Sequence, residues 1–369
     1  MIYLDNGATS LRKPLAVALA VRSALYRCAN PGRGGHRAAM EAANAVYRCR
    51  KRAGELFECE LEQVVFTSNC THGLNIAIRS LVKPGDRVLI SGFEHNAVTR
   101  TLRGLGAEII VAGRKLFDWE EILAEWEAGL KSKVQVAVFT HVSNVFGYIL
   151  PVYAMARLCR MYHVPFVIDA AQSAGTLPIS MAKLGADYIA MPGHKGLLGP
   201  QGTGVLLCKS RPEPLIYGGT GSESMEQAMP DFLPDRCEAG TLNVPGIAGL
   251  SAGMAWLQKQ GIGNIHRREH EQMLRCVRGL EDMGIPCFAG PHQAATVSFL
   301  PEMDCEEMAA QLGKLDIAVR AGLHCAPLAH ESAGTLGTGT VRVSFGIDAC
   351  AEQTDMFLNA MNKILTGRK

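Results

Sequence analysis

Between about residues 60 and 210, short apolar runs alternate with stretches in which apolar residues recur every three or four positions. Val64-Val65-Phe66 leads to a helix from about His72, Arg87 to Ser91 to a second from about His95, and Ile109-Ile110-Val111 to a third over Trp119 to Leu130. Val134 to Thr140 precedes a helix over Val152 to Tyr162, and the runs Val164 to Ile168 and Asp187 to Met191 follow. Strand-length runs spaced by helical segments predict a mostly parallel sheet with helices on both faces. Gly204 to Cys208 reads as one more strand. It comes too soon after Lys195 for a crossover helix, so it is expected to be antiparallel at that edge.

The pattern then changes. Residues 212–245 are rich in Gly, Pro and polar residues and show no period, as in a functional or interface loop. From about residue 246 come two helices (Val244 to Gln260, Asn264 to Gly284), three strands (Thr296 to Leu300, Ile317 to Arg320, Thr340 to Phe345) and helices at 304–314 and 349–366. That order makes an α+β lobe. Residues 12–21 resemble a signal peptide only faintly, because Arg22 ends the run, Asp5 precedes it and no cleavage pattern follows; a helix is expected instead. The expected division is an N-terminal segment over 1–20 packing on the small domain, a large domain over 21–245, and a small α+β domain over 246–369.

Composition narrows the class. The chain has 369 residues, 48% of them hydrophobic and 20% charged, with a formal net charge of +2. That is long enough for a large core and gives no electrostatic case for nucleic acid or an acidic membrane. The twelve cysteines show no C-x-x-C pair and no zinc-finger spacing, so reduced thiols in a cytoplasmic protein are expected, with no metal. No apolar stretch approaches the ~18 residues that span a bilayer.

The chemistry concentrates at strand ends. Asp169 closes one apolar run, and Lys195 sits in the turn Pro192-Gly193-His194-Lys195-Gly196 after another. In an open α/β sheet the carboxyl ends of the strands converge on the ligand crevice. An acid and a lysine delivered there suit pyridoxal phosphate: the lysine forms the Schiff base, and the acid keeps the pyridine nitrogen protonated. Alone, either residue is more often a helix cap or a solvated loop residue. Thr67 to Asn75 forms a polar turn opening a helix, which suits a phosphate group, and Glu94-His95-Asn96 follows the next strand.

With these residues in order, the chain resembles the class V aminotransferase-fold enzymes, in their cysteine desulfurase and selenocysteine lyase branch. The resemblance runs nearly end to end. It takes in Tyr3-Leu4-Asp5-Asn6-Gly7-Ala8-Thr9, Glu94-His95-Asn96, His141 to Gly147, Asp169-Ala170-Ala171-Gln172, Gly193-His194-Lys195-Gly196, Glu238-Ala239-Gly240-Thr241, Arg320 to Cys325 and Val341-Arg342-Val343-Ser344. It implies the type I fold of PLP-dependent transferases, with a mostly parallel seven-stranded sheet plus a smaller α+β domain. By the same resemblance, Lys195 binds the cofactor and shuttles the Cα proton, Asp169 pairs with the pyridine nitrogen, and Gln172 bonds the phenolic oxygen. His95 stacks on the ring, and Asn144 contacts cofactor or substrate. Arg342 clamps the substrate carboxylate, with Arg320 nearby. Thr71 and backbone amides near Cys70 hold the phosphate with His194, and Thr241 reaches the phosphate of the partner in a homodimer.

The chain departs from the family pattern where Pro192 replaces a Ser or Thr, and where Asn69-Cys70-Thr71-His72 replaces Gly-Thr-Thr-Glu. The segment before Glu238 also looks abbreviated, which bears on how partner proteins would dock. Cys325 selects the reaction, since a transaminase needs no cysteine. It lies in Arg320-Ala321-Gly322-Leu323-His324-Cys325-Ala326-Pro327, where Arg320 and His324 could lower its pKa. The spacing resembles group II desulfurases, whose cysteine sits on a constrained loop. The expected reaction turns L-cysteine into L-alanine, leaving a persulfide on Cys325 for a sulfur-acceptor protein, as in iron–sulfur cluster assembly. The alternatives are a selenocysteine lyase or another class V lyase or aminotransferase, and a PLP-binding dimeric scaffold with little activity. A nicotinamide site is disfavoured, because Gly32-Arg33-Gly34-Gly35 does not match G-x-G-x-x-G.

Overall fold

The computed structural model describes residues 1–32 and 34–367; Arg33, in the glycine run weighed above, lies outside them. In chain order the elements are β1 (Ile2–Tyr3), α1 (Leu15–Arg27), α2 (Arg37–Phe57), β2 (Val64–Thr67), α3 (Cys70–Leu81), β3 (Arg87–Ser91), α4 (Asn96–Gly104), β4 (Glu108–Ala112), α5 (Trp119–Lys131), β5 (Val136–Thr140), α6 (Val152–Met161), β6 (Phe166–Asp169), α7 (Met181–Leu184), β7 (Tyr188–Pro192) and β8 (Gly204–Cys208). Beyond them come α8 (Val244–Gln260), α9 (Ile262–Asp282), β9 (Cys287–Phe288), β10 (Thr296–Phe299), α10 (Cys305–Lys314), β11 (Ile317–Ala318), β12 (Arg320–Gly322), α11 (Pro327–Ala333), β13 (Thr340–Ser344) and α12 (Ala351–Thr366).

The central sheet has seven strands in the order β2-β8-β7-β6-β5-β3-β4. All pairs from β7 through to β4 are parallel, and β8 runs antiparallel to both of its neighbours. Every residue of β5, β6, β7 and β8 is buried. Such burial needs helices on both faces, which is why these strands read as unbroken apolar runs. Strand β8 is antiparallel as expected but does not form the edge, since β2 pairs along its outer side from Val64 to Thr67.

Two boundaries move for local reasons. Helix α3 begins at Cys70 rather than His72, because the Asn69 side chain accepts the His72 N–H at 2.9 Å and caps the helix two residues earlier. The apolar stretch Ile317 to Arg320 divides between two sheets. Ile317 and Ala318 pair with β1, whereas Arg320 to Gly322 pair with β13 in the four-stranded sheet β12-β13-β10-β9.

Two cores result. The larger includes α2, the underside of the central sheet, and Val244, Ile247, Leu250, Met254, Leu257 and Ile265 of α8 and early α9. The smaller gathers Met273, Val277 and Leu280 of α9 with β10, β13, α10 and α12. The apolar side chains of α9 are thus shared between these two clusters, and α8 packs on α1 and α2. Residues 2 and 3 pair with β11 at the C-terminal side, while α1 packs on α8.

Candidate active site

The carboxyl ends of β3, β5, β6 and β7 open onto a cavity of about 110 Å³, lined among others by Cys70, Thr71, His95, Asn144, Asp169, Gln172, Pro192, His194 and Lys195. Nine of the residues singled out in the sequence therefore meet at the crevice where strand order reverses.

Lys195 leaves β7 through a turn that tolerates no side chain at its glycines. A Cβ on Gly196 would lie 2.4 Å from the Ala174 carbonyl oxygen. The lysine is half-buried, and desolvation pulls its pKa below the usual value while Asp169 opposes the shift. Its amine is thereby biased toward the neutral, nucleophilic form.

Asp169 is 3% exposed. Its Oδ1 accepts the Ala171 N–H at 2.8 Å and the Cys70 thiol at 3.5 Å. Among the described residues Oδ2 has no hydrogen-bond partner. A buried carboxylate oxygen left open beside a lysine is what a protonated pyridine nitrogen requires. At the other end, the N–H groups of Cys70 and Thr71 occupy the first turn of α3, where no intrahelical partner exists, and form an anion site. The cavity thus fits pyridoxal phosphate at both ends. Pro192 supplies neither hydroxyl nor N–H, which leaves the phosphate to this helix end and to Thr71.

His95 caps α4: its Nδ1 accepts the Ala97 N–H at 3.0 Å. Burial lowers its pKa, so the ring is neutral, and with Nδ1 accepting, its proton sits on Nε2. The His194 Nδ1 lies 3.0 Å from Thr9 Oγ1, and its pKa is lowered to about 4, chiefly by burial. Gln172 commits one amide N–H to the Gly7 carbonyl at 3.0 Å.

Arg342 is 2% exposed and already engaged. It donates to the Asn144 carbonyl at 2.9 Å and to Asp5 Oδ1 at 2.6 Å. Asp5 Oδ2 lies 3.2 Å from Arg320 Nε, so one carboxylate bridges both arginines. The Arg342 Nε is buried without a partner, and Arg342 stands behind the cavity lining rather than in it. Nothing in the sequence marks Asp5 as the partner of both arginines. Its role escaped sequence reading because its partners come from β12 and β13. Glu94 was missed likewise: it lies buried beneath the site, accepts from Ser91 Oγ and from Thr140 N at 2.8 Å, and burial lifts its pKa to about 8.

Cys325 is exposed and lines an adjoining cavity of about 350 Å³ that shares Thr71, His95 and Ala97 with the first. His324 and Cys325 both adopt left-handed backbone, with φ of 50° and 58°. Asn144 Nδ2 holds the His324 carbonyl at 2.7 Å, and the Asn96 N–H holds that of Cys325 at 2.7 Å. The suggestion that His324 and Arg320 activate the thiol needs correction. His324 is neutral, its pKa lowered to about 3 by burial, and its Nε2 lies 3.2 Å from the Thr340 carbonyl; Arg320 is paired with Asp5. Thr241 is not brought to this site within the chain. It lines a separate cavity with Tyr47, Arg50 and Glu238.

Comparison with known proteins agrees with this arrangement. The model of the family "Aminotransferase class-V" matches residues 2–357. The chain belongs to the class V aminotransferase family. A probable cysteine desulfurase of Pyrococcus abyssi is 34% identical over 387 residues, covering 99% of this chain and 94% of that protein. Among solved class V structures, the apo cysteine desulfurase of Thermococcus onnurineus NA1 superposes with a TM-score of 0.91 at 33% identity, over 99% of this chain and 95% of its own. The Escherichia coli cysteine desulfurase CsdA, in an S-sulfonic acid form, does so with a TM-score of 0.85 at 25% identity, over 99% and 94%. In this family member, no group of three or more His, Cys, Asp or Glu among the described residues could hold a metal ion. No helix there is long and apolar enough to cross a membrane.

Proposed function

We propose that this protein is a pyridoxal-phosphate-dependent cysteine desulfurase that releases L-alanine from L-cysteine and retains the sulfur as a persulfide on Cys325. One observation carries the reading: an exposed cysteine lines a cavity that adjoins, across His95, the cavity holding Lys195 and Asp169. Lys195 would bind the cofactor, Asp169 Oδ2 its ring nitrogen, the first turn of α3 with Thr71 its phosphate, and Gln172 its phenolic oxygen. Bound there, pyridoxal phosphate supplies an electron sink for bonds broken at the substrate.

The chain's own residues do the rest. Arg342, steadied by Asp5, would take the substrate carboxylate beside Asn144 through the remaining N–H groups of its terminal nitrogens. Lys195, biased toward its neutral form, takes the Cα proton at Nζ and returns one later. The Cys325 thiolate attacks the substrate sulfur; an S–S bond forms, the Cβ–S bond breaks, and its electron pair is quenched by a proton at Cβ. The His95 Nε2–H is a donor on the boundary between the two cavities. The persulfide is then discharged to a thiol acceptor.

Homodimer formation is part of the proposal, with Thr241 serving the partner's site; Tyr217 and Met225 lie exposed on the same loop. All twelve cysteines are free, which favours a reducing, cytoplasmic setting. The test is turnover of L-cysteine with dithiothreitol, reading alanine and sulfide. The wild type should make them one to one, whereas Cys325→Ala should bind the cofactor and release neither. If Cys325→Ala keeps wild-type alanine production, the reading fails and a transaminase or simple lyase replaces it. Cleavage of L-selenocysteine alone would favour the lyase. Borohydride reduction should place the pyridoxyl group on the Lys195 peptide.

A further inference from the structure

We propose that the thiol of Cys70 is a positioning group for Asp169, holding its carboxylate so that the free oxygen faces the cofactor nitrogen. The inference rests on the cofactor reading above and assigns to Cys70 a task distinct from that of its backbone. As the first residue of α3, Cys70 points its N–H outward from the helix end, toward the phosphate subsite. Its side chain reaches the end of β6, where Sγ meets Asp169 Oδ1 at 3.5 Å. The Ala171 N–H reaches the same oxygen at 2.8 Å. Two donors converging on Oδ1 fix the rotation of the carboxylate and leave Oδ2 as the open acceptor. One residue thus serves both ends of the cavity.

The thiol can only donate here. Burial, and then the negative charge of Asp169, push its pKa well above the usual thiol range, so it stays protonated beside the carboxylate. A buried carboxylate short of donors would otherwise be free to rotate or to pair with Lys195, which also lines the cavity. The competing explanation is simple packing, since Cys70 also touches the apolar cluster of Leu74, Ala190 and Leu206.

Two substitutions in the full-length protein separate donor from filler. Cys70→Ser keeps a donor but shrinks the side chain, whereas Cys70→Val keeps the bulk and removes the donor. The measurements are the dissociation constant of pyridoxal phosphate and the pH dependence of the visible absorbance of the bound cofactor. Melting of the cofactor-free proteins serves as the check on folding. Cys70→Val should weaken binding about fivefold, as expected for loss of one ordinary net hydrogen bond from a weak thiol donor. It should also move the absorbance midpoint to higher pH, because Asp169 carries a less neutralised charge. Cys70→Ser should bind within about twofold of the wild type and restore the midpoint. The proposal is overturned if Val behaves as wild type while Ser weakens, which is the packing result, or if neither changes. If the wild type itself takes up no pyridoxal phosphate, the cofactor reading has failed and this inference falls with it.

Discussion

The segment carrying Thr241 is anchored by a buried ion pair whose removal gives a sharp test of the fold around the site. Arg50 on α2 donates to Glu238 Oε1 at 3.0 Å and to Oε2 at 2.8 Å, and Glu238 Oε1 also accepts the Phe66 N–H at 2.7 Å. The guanidinium lies 4.6 Å from the Phe66 ring centre and also reaches the Val64 carbonyl. Glu238→Met leaves a buried guanidinium and a buried strand N–H without their acceptor. An uncompensated buried charge costs about 3–5 kcal/mol. Glu238→Gln retains shape and one acceptor but loses the charge, which should cost about 2 kcal/mol.

The decisive arm is the double variant Arg50→Met/Glu238→Met. It leaves the Phe66 N–H unpaired, at about 1–3 kcal/mol, but strands no charge, so it should be more stable than Glu238→Met alone. Urea unfolding of cofactor-free protein, followed by tryptophan fluorescence at one protein concentration, measures all four forms. A loss below about 1 kcal/mol for Glu238→Met, or a double variant weaker than that single, would refute the buried-pair argument. Because Thr241 follows three residues on, Glu238→Met should also weaken cofactor retention in the dimer.

Three further outcomes are expected. Gly175 has φ of 87°, and a Cβ there would fall 2.2 Å from the Gly196 carbonyl oxygen, so Gly175→Ala should cost more than about 2 kcal/mol and displace Lys195, read as lost stability together with lost pyridoxal phosphate uptake. Glu269 is buried on α9 with a pKa lifted to about 8, above about 4.3 in the unfolded chain; the folded form therefore holds the extra proton between these values, and stability falls as pH rises through them. Glu269→Gln should match the wild type near pH 4 and exceed it by pH 9 in urea titrations, with Glu94 leaving a residual slope. His95→Ala should lose about 1 kcal/mol through the α4 cap, while His95→Asn, which can still cap, should keep the stability; both should lose turnover, and activity surviving in His95→Asn would exclude a role for the ring.

What was legible in the sequence followed the reach of its signals. Strands β5 to β7, buried on both faces, announce themselves as apolar runs, and the acid and lysine at their ends are local to them. The caps at Asn69 and His95 act over two or three residues, so they could shift a boundary without disturbing an element. Asp5 is different. Its bond to Arg342 spans 337 positions, and no local pattern tells a carboxylate that will bridge two arginines from one that ends a strand. His324 is illegible for a related reason. Beside Cys325 in sequence it looks like an activating charge, but its ring is turned to Thr340 and burial leaves it neutral.

Helix α8 shows most clearly what an apolar pattern leaves open. Its buried positions include Val244, Gly246, Ile247, Gly249, Leu250, Gly253, Met254 and Leu257, which wrap most of the helix rather than marking one face. A helix apolar all round reveals that it is enclosed, not by what. The glycines carry the missing information. A Cβ on Gly249 would stand 2.6 Å from Val21 of α1, and one on Gly253 would stand 2.4 Å from the Leu197 carbonyl oxygen, two residues beyond Lys195. Their small size lets α8 lie close against α1 and the active-site turn, so the helix belongs to the support of Lys195. The change near residue 246 therefore marks where strand–helix alternation stops. The apolar clusters divide along α9, with Ile265 in one and Met273 in the other.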